Sequence, residues 1–425
     1  MSQSHFPHPP RSTRRSDFHV MAKPSGPDCN LGCEYCFYLE KNALFPSKQR
    51  KRMSEETLEA YIRNTIESSP DDGPILFTWQ GGEPTLLGID FYKKAIALQK
   101  QYGGNHKIEN SFQTNGTLID ISWAEFLAEN RFLVGLSLDG PESIHDHYRR
   151  AKGGAATHHL VMEALELLQR HAVPYNILTC VNRISSQSPL EVYRFFKYSG
   201  VQYIQFIPIV ERLPSESYVK IGLSLDGPPS TTSRSDLQSK VTDWSVRASD
   251  WGGFLTTIFE EWRRIDVGSI FVMNFEWSLA AFMNQPGAVC VHQENCGRAI
   301  ITEHNGDVYS CDHFVYPEYR LGNLNTDSIA VMIESARQQA FGRSKSSGLP
   351  DQCRRCKYLR GCWGGCPKHR FINSEDGQPG LNYLCAGYTH YLHHIAPYLK
   401  VIAGLIGSGR QPAEIMNMDI RIIGR

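Results

Sequence analysis

Cys29, Cys33 and Cys36 form a C-x3-C-x2-C run near the start of the chain. Three thiolates this close can hold three irons of a [4Fe–4S] cluster and leave the fourth without a protein ligand. An open iron can bind a substrate or cofactor, which a fully ligated electron-transfer cluster cannot do. Zinc fits less well, because structural zinc sites close with four ligands, commonly as C-x2-C pairs. The segment reads Asp28-Cys29-Asn30-Leu31-Gly32-Cys33-Glu34-Tyr35-Cys36-Phe37-Tyr38, with an aromatic residue directly before the third cysteine.

A second field of thiols lies late in the chain: Cys290, Cys296 and Cys311, then Cys353, Cys356, Cys362 and Cys366, and finally Cys385. These eight suffice for two four-cysteine sites. Gly361, Gly364, Gly365 and Gly387 suit tight loops around inorganic clusters. Spacing alone fits zinc as well as iron–sulfur, since the C-x2-C pair Cys353 and Cys356 also matches a zinc knuckle. An open cluster upstream, which needs electrons moved in and out, favours iron–sulfur. Spacing also leaves the grouping open, and Cys353, Cys356, Cys362 and Cys366 could share one site. Cys180 stands alone inside a predicted strand and reads as a small buried hydrophobe.

The elements that must carry these groups follow from hydrophobic periodicity. Strands are expected at Phe18–Ala22, Ile75–Trp79, Ile108–Gln113, Phe132–Leu138, Tyr175–Val181 and Tyr203–Ile209. Helical patterns lie between them at Glu55–Glu67, Phe91–Tyr102, Ser122–Glu129, His158–Arg170 and Leu190–Tyr198. Ser54 is the expected N-cap of the first, with Glu55 and Glu56 in its first turn. Strands alternating with helices predict an α/β fold with a parallel sheet, either open or an incomplete barrel, and chemistry at the carboxyl ends of its strands. The motifs obey that rule: Cys29–Cys36, Gly81-Gly82-Glu83-Pro84, Gln113-Thr114-Asn115-Gly116 and Ser137-Leu138-Asp139-Gly140 each follow or close a strand.

Residues 211–250 break the pattern, with a Ser/Thr/Pro-rich stretch at Ser230–Ser235 read as a surface loop before an amphipathic helix around Phe254–Ile265. The heptapeptide at Gly135–Pro141 recurs at Gly222–Pro228 without a surrounding periodic repeat. Function is assigned to the first copy, which ends a strand in phase with the sheet and precedes His145, Asp146 and Tyr148-Arg149-Arg150.

Composition sets outer limits. With 44 basic and 44 acidic residues among 425, the chain lacks the basic excess of a duplex nucleic-acid binder. No stretch approaches the ~20 apolar residues of a membrane span. The N-terminus, with Arg11, Arg14 and Arg15 among prolines and serines, lacks a signal-peptide core and reads as a disordered tail. Twelve cysteines suggest metal ligands in a reducing compartment, hence the cytoplasm.

The first cysteine run, with Tyr35 before its third member, resembles the radical S-adenosylmethionine (SAM) enzymes. The late C-x2-C-x5-C-x3-C run and the distant Cys385 resemble the SPASM extension of peptide-modifying members. Within that group the chain is similar to the anaerobic sulfatase-maturating enzymes. That resemblance runs from about Phe18 to the helix after Cys385 and rests also on Trp79–Thr85, Gln113–Leu118, Gly135–Pro141, Cys311–Phe314 and Leu381–Cys385.

The resemblance implies a partial (β/α)6 TIM-like barrel over 18–250 after a tail at 1–17. A linker helix region would follow at 251–285, a SPASM domain with two auxiliary clusters at 286–395, and a C-terminal helix and tail at 396–425. It implies SAM and three [4Fe–4S] clusters, with Cys290, Cys296, Cys311 and Cys366 holding one auxiliary cluster and Cys353, Cys356, Cys362 and Cys385 the other. Contacts to SAM would come from Tyr35, Gly81, Gly82, Glu83, Ser137, Arg149 and Val210. Arg149 suits a carboxylate on chemical grounds as well.

The implied activity is conversion of a cysteine or serine in a sulfatase polypeptide, within a C/S-x-P/A-x-R motif, to Cα-formylglycine. A 5′-deoxyadenosyl radical would take a β-hydrogen, Asp312 the thiol or hydroxyl proton, and an auxiliary cluster the second electron. Tyr38 and Gln80 are candidates for gripping the peptide. A low-potential donor such as flavodoxin or ferredoxin is the other expected partner; neither nucleic acid nor membrane is expected. Two other readings share parts of this pattern. A different peptide modifier of the same architecture could lack a base at Asp312, and a non-catalytic metal module would be set apart by its metal content.

Overall fold

The structure, a computed structural model, describes residues 18–45, 51–70, 73–229, 240–287 and 289–420. The expected N-terminal tail and the Ser230–Ser235 stretch lie outside the described residues.

Six parallel strands stand side by side in sequence order: β1 (His19–Lys23), β2 (Ile75–Trp79), β3 (Ile108–Thr114), β4 (Leu133–Ser137), β5 (Tyr175–Val181) and β6 (Tyr203–Pro208). Each is one that hydrophobic alternation predicts, with bounds moved by a residue or two. The first crossover helix, Glu55–Ser68, is capped as expected: the Ser54 side chain accepts from the Thr57 amide at 3.2 Å. Its buried face carries Leu58, Tyr61, Ile62 and Ile66. Tyr61 meets Phe77 and Trp79 edge-on, and Tyr92, Phe112 and Trp123 continue this aromatic layer between sheet and helices. Each such ring, fully buried, contributes roughly 1.5–3 kcal/mol against exposure.

Four further strands lengthen the sheet. β7 (Phe271–Val272) joins β6 in parallel. β8 (Ala299–Glu303) runs parallel to β1 over its whole length, with His19 opposite Ala299 and Lys23 opposite Glu303. β9 (Asp307–Tyr309) and β10 (Arg320–Asn323) follow antiparallel, giving the order β10-β9-β8-β1-β2-β3-β4-β5-β6-β7. The sheet is a partial barrel, open between β10 and β7. β8 pairs with β1, and beyond β9 the segment carrying Cys311 comes against the first cysteine run: Asp312 pairs with Lys23, and the rings of His313 and Phe37 meet with centroids 5.2 Å apart.

The late cysteines are anchored from the other side by the helix Cys385–Gly407, which packs along the helix Ala248–Ile265. Gly387 and Gly252 let these backbones touch; a Cβ on Gly387 would run into the Ala248 carbonyl. No helix among the described residues is long and apolar enough to cross a membrane.

Candidate active site

At the carboxyl end of β1 the chain turns twice, with the Gly26 amide bonding Lys23 O (2.9 Å) and the Asp28 amide bonding Ser25 O (3.1 Å), before entering the cysteine loop. The segment after β2 locks onto these turns: the Gly82 amide donates to Gly26 O (2.7 Å) and the Glu83 amide to Asp28 O (2.9 Å). Gly81 has φ +140° and a Cβ on Gly82 would collide with the Asp28 carbonyl, so neither position admits a side chain without moving the loop. On its far side the loop is held by Gly32 N to Arg150 O (2.8 Å) and Glu34 N to Tyr148 O (3.2 Å).

Cys29, Cys33 and Cys36 then line one cavity of about 120 Å³ together with Gln80, Gly81, Gly82, Asn115, Ser137 and Arg149. Burial pushes the Cys29 and Cys33 thiols up to about 12 and Cys36 upward as well. Metal binding must therefore displace protons from them. Gln80 Oε1 is buried without a hydrogen-bond partner. A glycine cradle, three convergent thiols and an orphaned acceptor fit a cluster carrying a polar cofactor.

Three residues that the resemblance brings to SAM do not line this cavity. Tyr35 is buried and its hydroxyl is committed to Asp139. Val210 is buried in the main hydrophobic core. The fully buried Glu83 carboxylate is consumed by Thr85 N (3.0 Å), Thr85 Oγ1 (2.7 Å), Thr114 Oγ1 (2.7 Å) and Asn115 N (2.8 Å). It ties the ends of β2 and β3 together.

Asp139, two residues past the end of β4 in the Ser137–Gly140 motif, organises this wall. It is 1% exposed and accepts from Tyr35, from Arg149 Nε (3.0 Å) and from the Cys180 amide (2.9 Å). Fully buried His145, held neutral by burial, accepts from the Asp139 amide through Nδ1 (3.3 Å). Cys180 departs from expectation. It is half-buried, with Sγ 3.7 Å from Arg149 Nη2, because β5 ends at the same rim. Asn115, in the Gln113–Gly116 motif, donates to Cys29 Sγ (3.7 Å) and Asn30 Oδ1 (2.9 Å).

Asp312 is reached through Lys23, the last residue of β1 and one place beyond the strand expected from periodicity. Lys23 is 1% exposed, its Cα lies 3.5 Å from the Cβ position of Gly81, and its ammonium pairs with Asp312 Oδ1. Burial pushes the Asp312 carboxyl up, but Lys23 and then His313 more than offset this and hold it below the usual range. The Lys23 ammonium also lies 3.5 Å over the Tyr38 ring, whose hydroxyl donates to the buried Glu303 of β8. Tyr38 is thus spent inside the protein and does not line the cavity, while Gln80 does.

The later cysteines fall into two groups. Cys353, Cys356, Cys362 and Cys385 line a cavity of about 200 Å³ with Gly364, Asn382 and Tyr388. Cys366 is absent from that lining. It lies instead with Cys290, Cys296 and Cys311, whose thiols burial and mutual repulsion push up. Among the described residues no three His, Cys, Asp or Glu side chains converge tightly enough for a single ion.

These features define a radical SAM enzyme with an iron–sulfur extension. Residues 24–196 match the Radical SAM superfamily and residues 290–357 the SPASM iron-sulfur cluster-binding domain. A serine-type anaerobic sulfatase-maturating enzyme of Bacteroides thetaiotaomicron is 44% identical over 398 residues, covering 94% of each chain. A cysteine-type enzyme of Clostridium perfringens is 32% identical over 390 residues, covering 91% of this chain and 98% of its own. The structure of native anSMEcpe with bound AdoMet and Cp18Cys peptide superimposes with a TM-score of 0.78 at 32% identity, covering 91% of this chain and 99% of that one. The chain belongs to the anaerobic sulfatase-maturating enzymes. Its cofactors are SAM with a [4Fe–4S] cluster and the auxiliary iron–sulfur clusters of the SPASM domain.

Proposed function

We propose that this enzyme oxidises a serine or cysteine side chain of a sulfatase polypeptide to Cα-formylglycine, with serine as the preferred target. The observation that carries the chemistry is the Lys23–Asp312 pair, an ionised carboxylate directly after Cys311 and joined through Lys23 to the Gly81 wall of the cysteine cavity. The preference for serine is supported by the higher identity to the serine-type relative, 44% against 32% for the cysteine-type one.

Cys29, Cys33 and Cys36 would hold the cluster at which SAM binds, and the bound cofactor would supply the 5′-deoxyadenosyl radical for removal of the β-hydrogen. Gly82 would bring its backbone against the amino-acid end of the cofactor, and Ser137 and Arg149, which line the same cavity, would hold its polar ends. Asp312 accepts the hydroxyl or thiol proton, so one hydrogen atom, one proton and one electron leave the side chain; serine becomes the aldehyde directly, and cysteine becomes a thioaldehyde that water hydrolyses with release of hydrogen sulfide. The cysteines of the second field would hold the auxiliary clusters, which would supply a sink for that electron, and a flavodoxin- or ferredoxin-type donor in the cytoplasm would supply the first. Gln80, with its unpartnered acceptor in the same cavity, contacts the peptide.

The test is anaerobic incubation of reconstituted enzyme, SAM and dithionite with peptides carrying S-x-P-x-R or C-x-P-x-R cores. Product captured by a carbonyl reagent and read by mass spectrometry is the expected result, faster for serine. If 5′-deoxyadenosine forms while both peptides return unchanged, the radical chemistry stands and the sulfatase assignment fails.

A further inference from the structure

Two buried cations in the second cysteine field have no acid to pair with among the described residues. Lys345 is fully buried, and its ammonium donates to the carbonyls of Cys290 (2.5 Å), Val291 (3.2 Å) and Gln293. Arg370 is 8% exposed and spreads its guanidinium over three carbonyls: Nε to Gly364 (3.0 Å), Nη2 to Trp363 (2.5 Å) and Nη1 to Lys345 (2.5 Å). Burying a charge without a counter-charge costs several kcal/mol per ion, and backbone carbonyls return only part of that. An anionic group must therefore sit nearby when the protein is loaded.

The thiols supply that group. Those whose charge bears on Lys345 are Cys296, Cys290 and Cys366, all of one four-cysteine set. Those bearing on Arg370 are Cys366 and Cys296 of that set together with Cys353 and Cys362 of the other. The backbone explains the difference. Cys362 of one set and Cys366 of the other are joined by Trp363, Gly364 and Gly365, three successive left-handed residues with φ of +46°, +66° and +60°. Arg370 grips the carbonyls of the first two, and Asn382 Nδ2 supports Gly364 O at 3.0 Å. The guanidinium is thus fixed at the crossover between the two sites, whereas the Lys345 ammonium sits on the Cys290–Gln293 turn of one.

We propose that Arg370 is a positioning residue shared by both auxiliary clusters, and that Lys345 serves only the cluster of Cys290, Cys296, Cys311 and Cys366, which therefore has the higher reduction potential. Reduction adds one electron and one negative charge to a cluster, and a fixed buried cation stabilises that form. One cluster has two such cations; the other has one. The inference rests on the reading that these eight cysteines hold two four-iron clusters, and the experiment separates the two.

Full-length wild type and the variants Lys345→Met, Arg370→Gln and Arg370→Lys are reconstituted anaerobically, assayed for iron and sulfide, and titrated potentiometrically with EPR detection. Wild type is expected to hold about twelve irons, as three four-iron clusters require. Lys345→Met lowers one auxiliary potential by at least about tenfold in the one-electron equilibrium, about 59 mV, and leaves the other in place. Arg370→Gln lowers both, and Arg370→Lys restores most of the loss. Iron retained with unshifted potentials in Lys345→Met overturns the inference, as does a single shifted cluster in Arg370→Gln. Should Arg370→Gln fail to take up iron, Lys345→Met decides alone: a drop in both clusters overturns the asymmetry. Wild type holding only about four irons removes the cluster reading itself, and the inference with it.

Discussion

Replacing Lys23 by methionine keeps the volume of a buried side chain and removes the ammonium paired with Asp312. At an effective dielectric of about 20, unit charges about 4 Å apart attract by roughly 4 kcal/mol. The Asp312 side chain is 21% exposed, so solvent screening reduces this to roughly 2–3 kcal/mol. That is a factor of roughly 30–150 in the ionisation of the carboxyl. Burial is the largest influence on Asp312 and pushes it upward, with Lys23 the main offset. Without Lys23 the carboxyl therefore takes up its proton at higher pH, and the acid limb of product formation moves up with it. The assay compares trapped aldehyde with 5′-deoxyadenosine in the same reaction over a range of pH. Lys23→Met should lose aldehyde on the acid side of neutrality and regain it as pH rises toward neutrality, while 5′-deoxyadenosine formation changes little. Asp312→Asn should lose roughly 10²–10⁴-fold of product at every pH, and the double variant should be no worse than Asp312→Asn alone. If the two losses multiply, or if Lys23→Met leaves the acid limb where it was, Lys23 does not act through Asp312.

Other substitutions test the supports of the site. Gly82→Ala drives a methyl group into the Asp28 carbonyl, which is backbone and cannot yield; it should abolish 5′-deoxyadenosine formation and lower SAM binding measured by equilibrium dialysis. Asp139→Asn leaves the guanidinium of Arg149, 8% exposed, without its charge partner at 3.0 Å. Breaking such a pair costs roughly 3–5 kcal/mol, and a SAM affinity equal to wild type would show that Arg149 needs no such anchor. Lys41 gives the pH test. Burial lowers it to about 8, although Glu40 works the other way. Between that value and the ordinary lysine range the unfolded chain binds more protons than the folded one, so stability rises with pH across the window, by roughly 3 kcal/mol. Thermal melts at pH 8 and 10.5 should show this gain in wild type relative to Lys41→Met, and a flat difference would refute it.

The six central strands were legible because each is long enough for alternation to show against a helix on either side. β7 and β9, two and three residues long, carry no readable period of their own. Their places are set by the edges that β6 and β8 offer for pairing. For β8, the run Ala299–Glu303 was hidden in a field read for its cysteines, and pairing with β1 across some 280 residues leaves no local signal. The thiols themselves were plain, since a metal ligand is recognised by type. Side chains that act by long-range charge were not. Nothing near Asp139 announces Arg149 as its partner, and nothing near Lys23 announces Asp312. One usable signal was missed: a lysine closing β1 at the catalytic rim is a costly burial that asks for an acid.

The repeated heptapeptide separates sequence from context most sharply. In the first copy, Gly135, Leu136 and Ser137 pair with Asn176, Ile177 and Leu178 of β5, so Asp139 arrives buried at the rim and takes Arg149. In the second, the same residues form no strand. Leu223 N returns to Tyr218 O at 3.0 Å, and the amides of Ser224 and Leu225 close on Glu40, each at 2.8 Å. Asp226 there pairs with Arg212 at 3.1 Å, an aspartate–arginine contact like the first, but on a loop fastened to the helix Leu39–Leu44. Both aspartates choose an arginine because a buried carboxylate must be paired. What differs is the backbone beneath them: a strand whose register two neighbouring strands dictate in one case, and a turn paired with no strand in the other. The chemistry of the motif therefore resides in the position at which β4 ends, not in the seven residues, and moving that strand end by one residue would turn Asp139 away from Arg149 while leaving the motif intact.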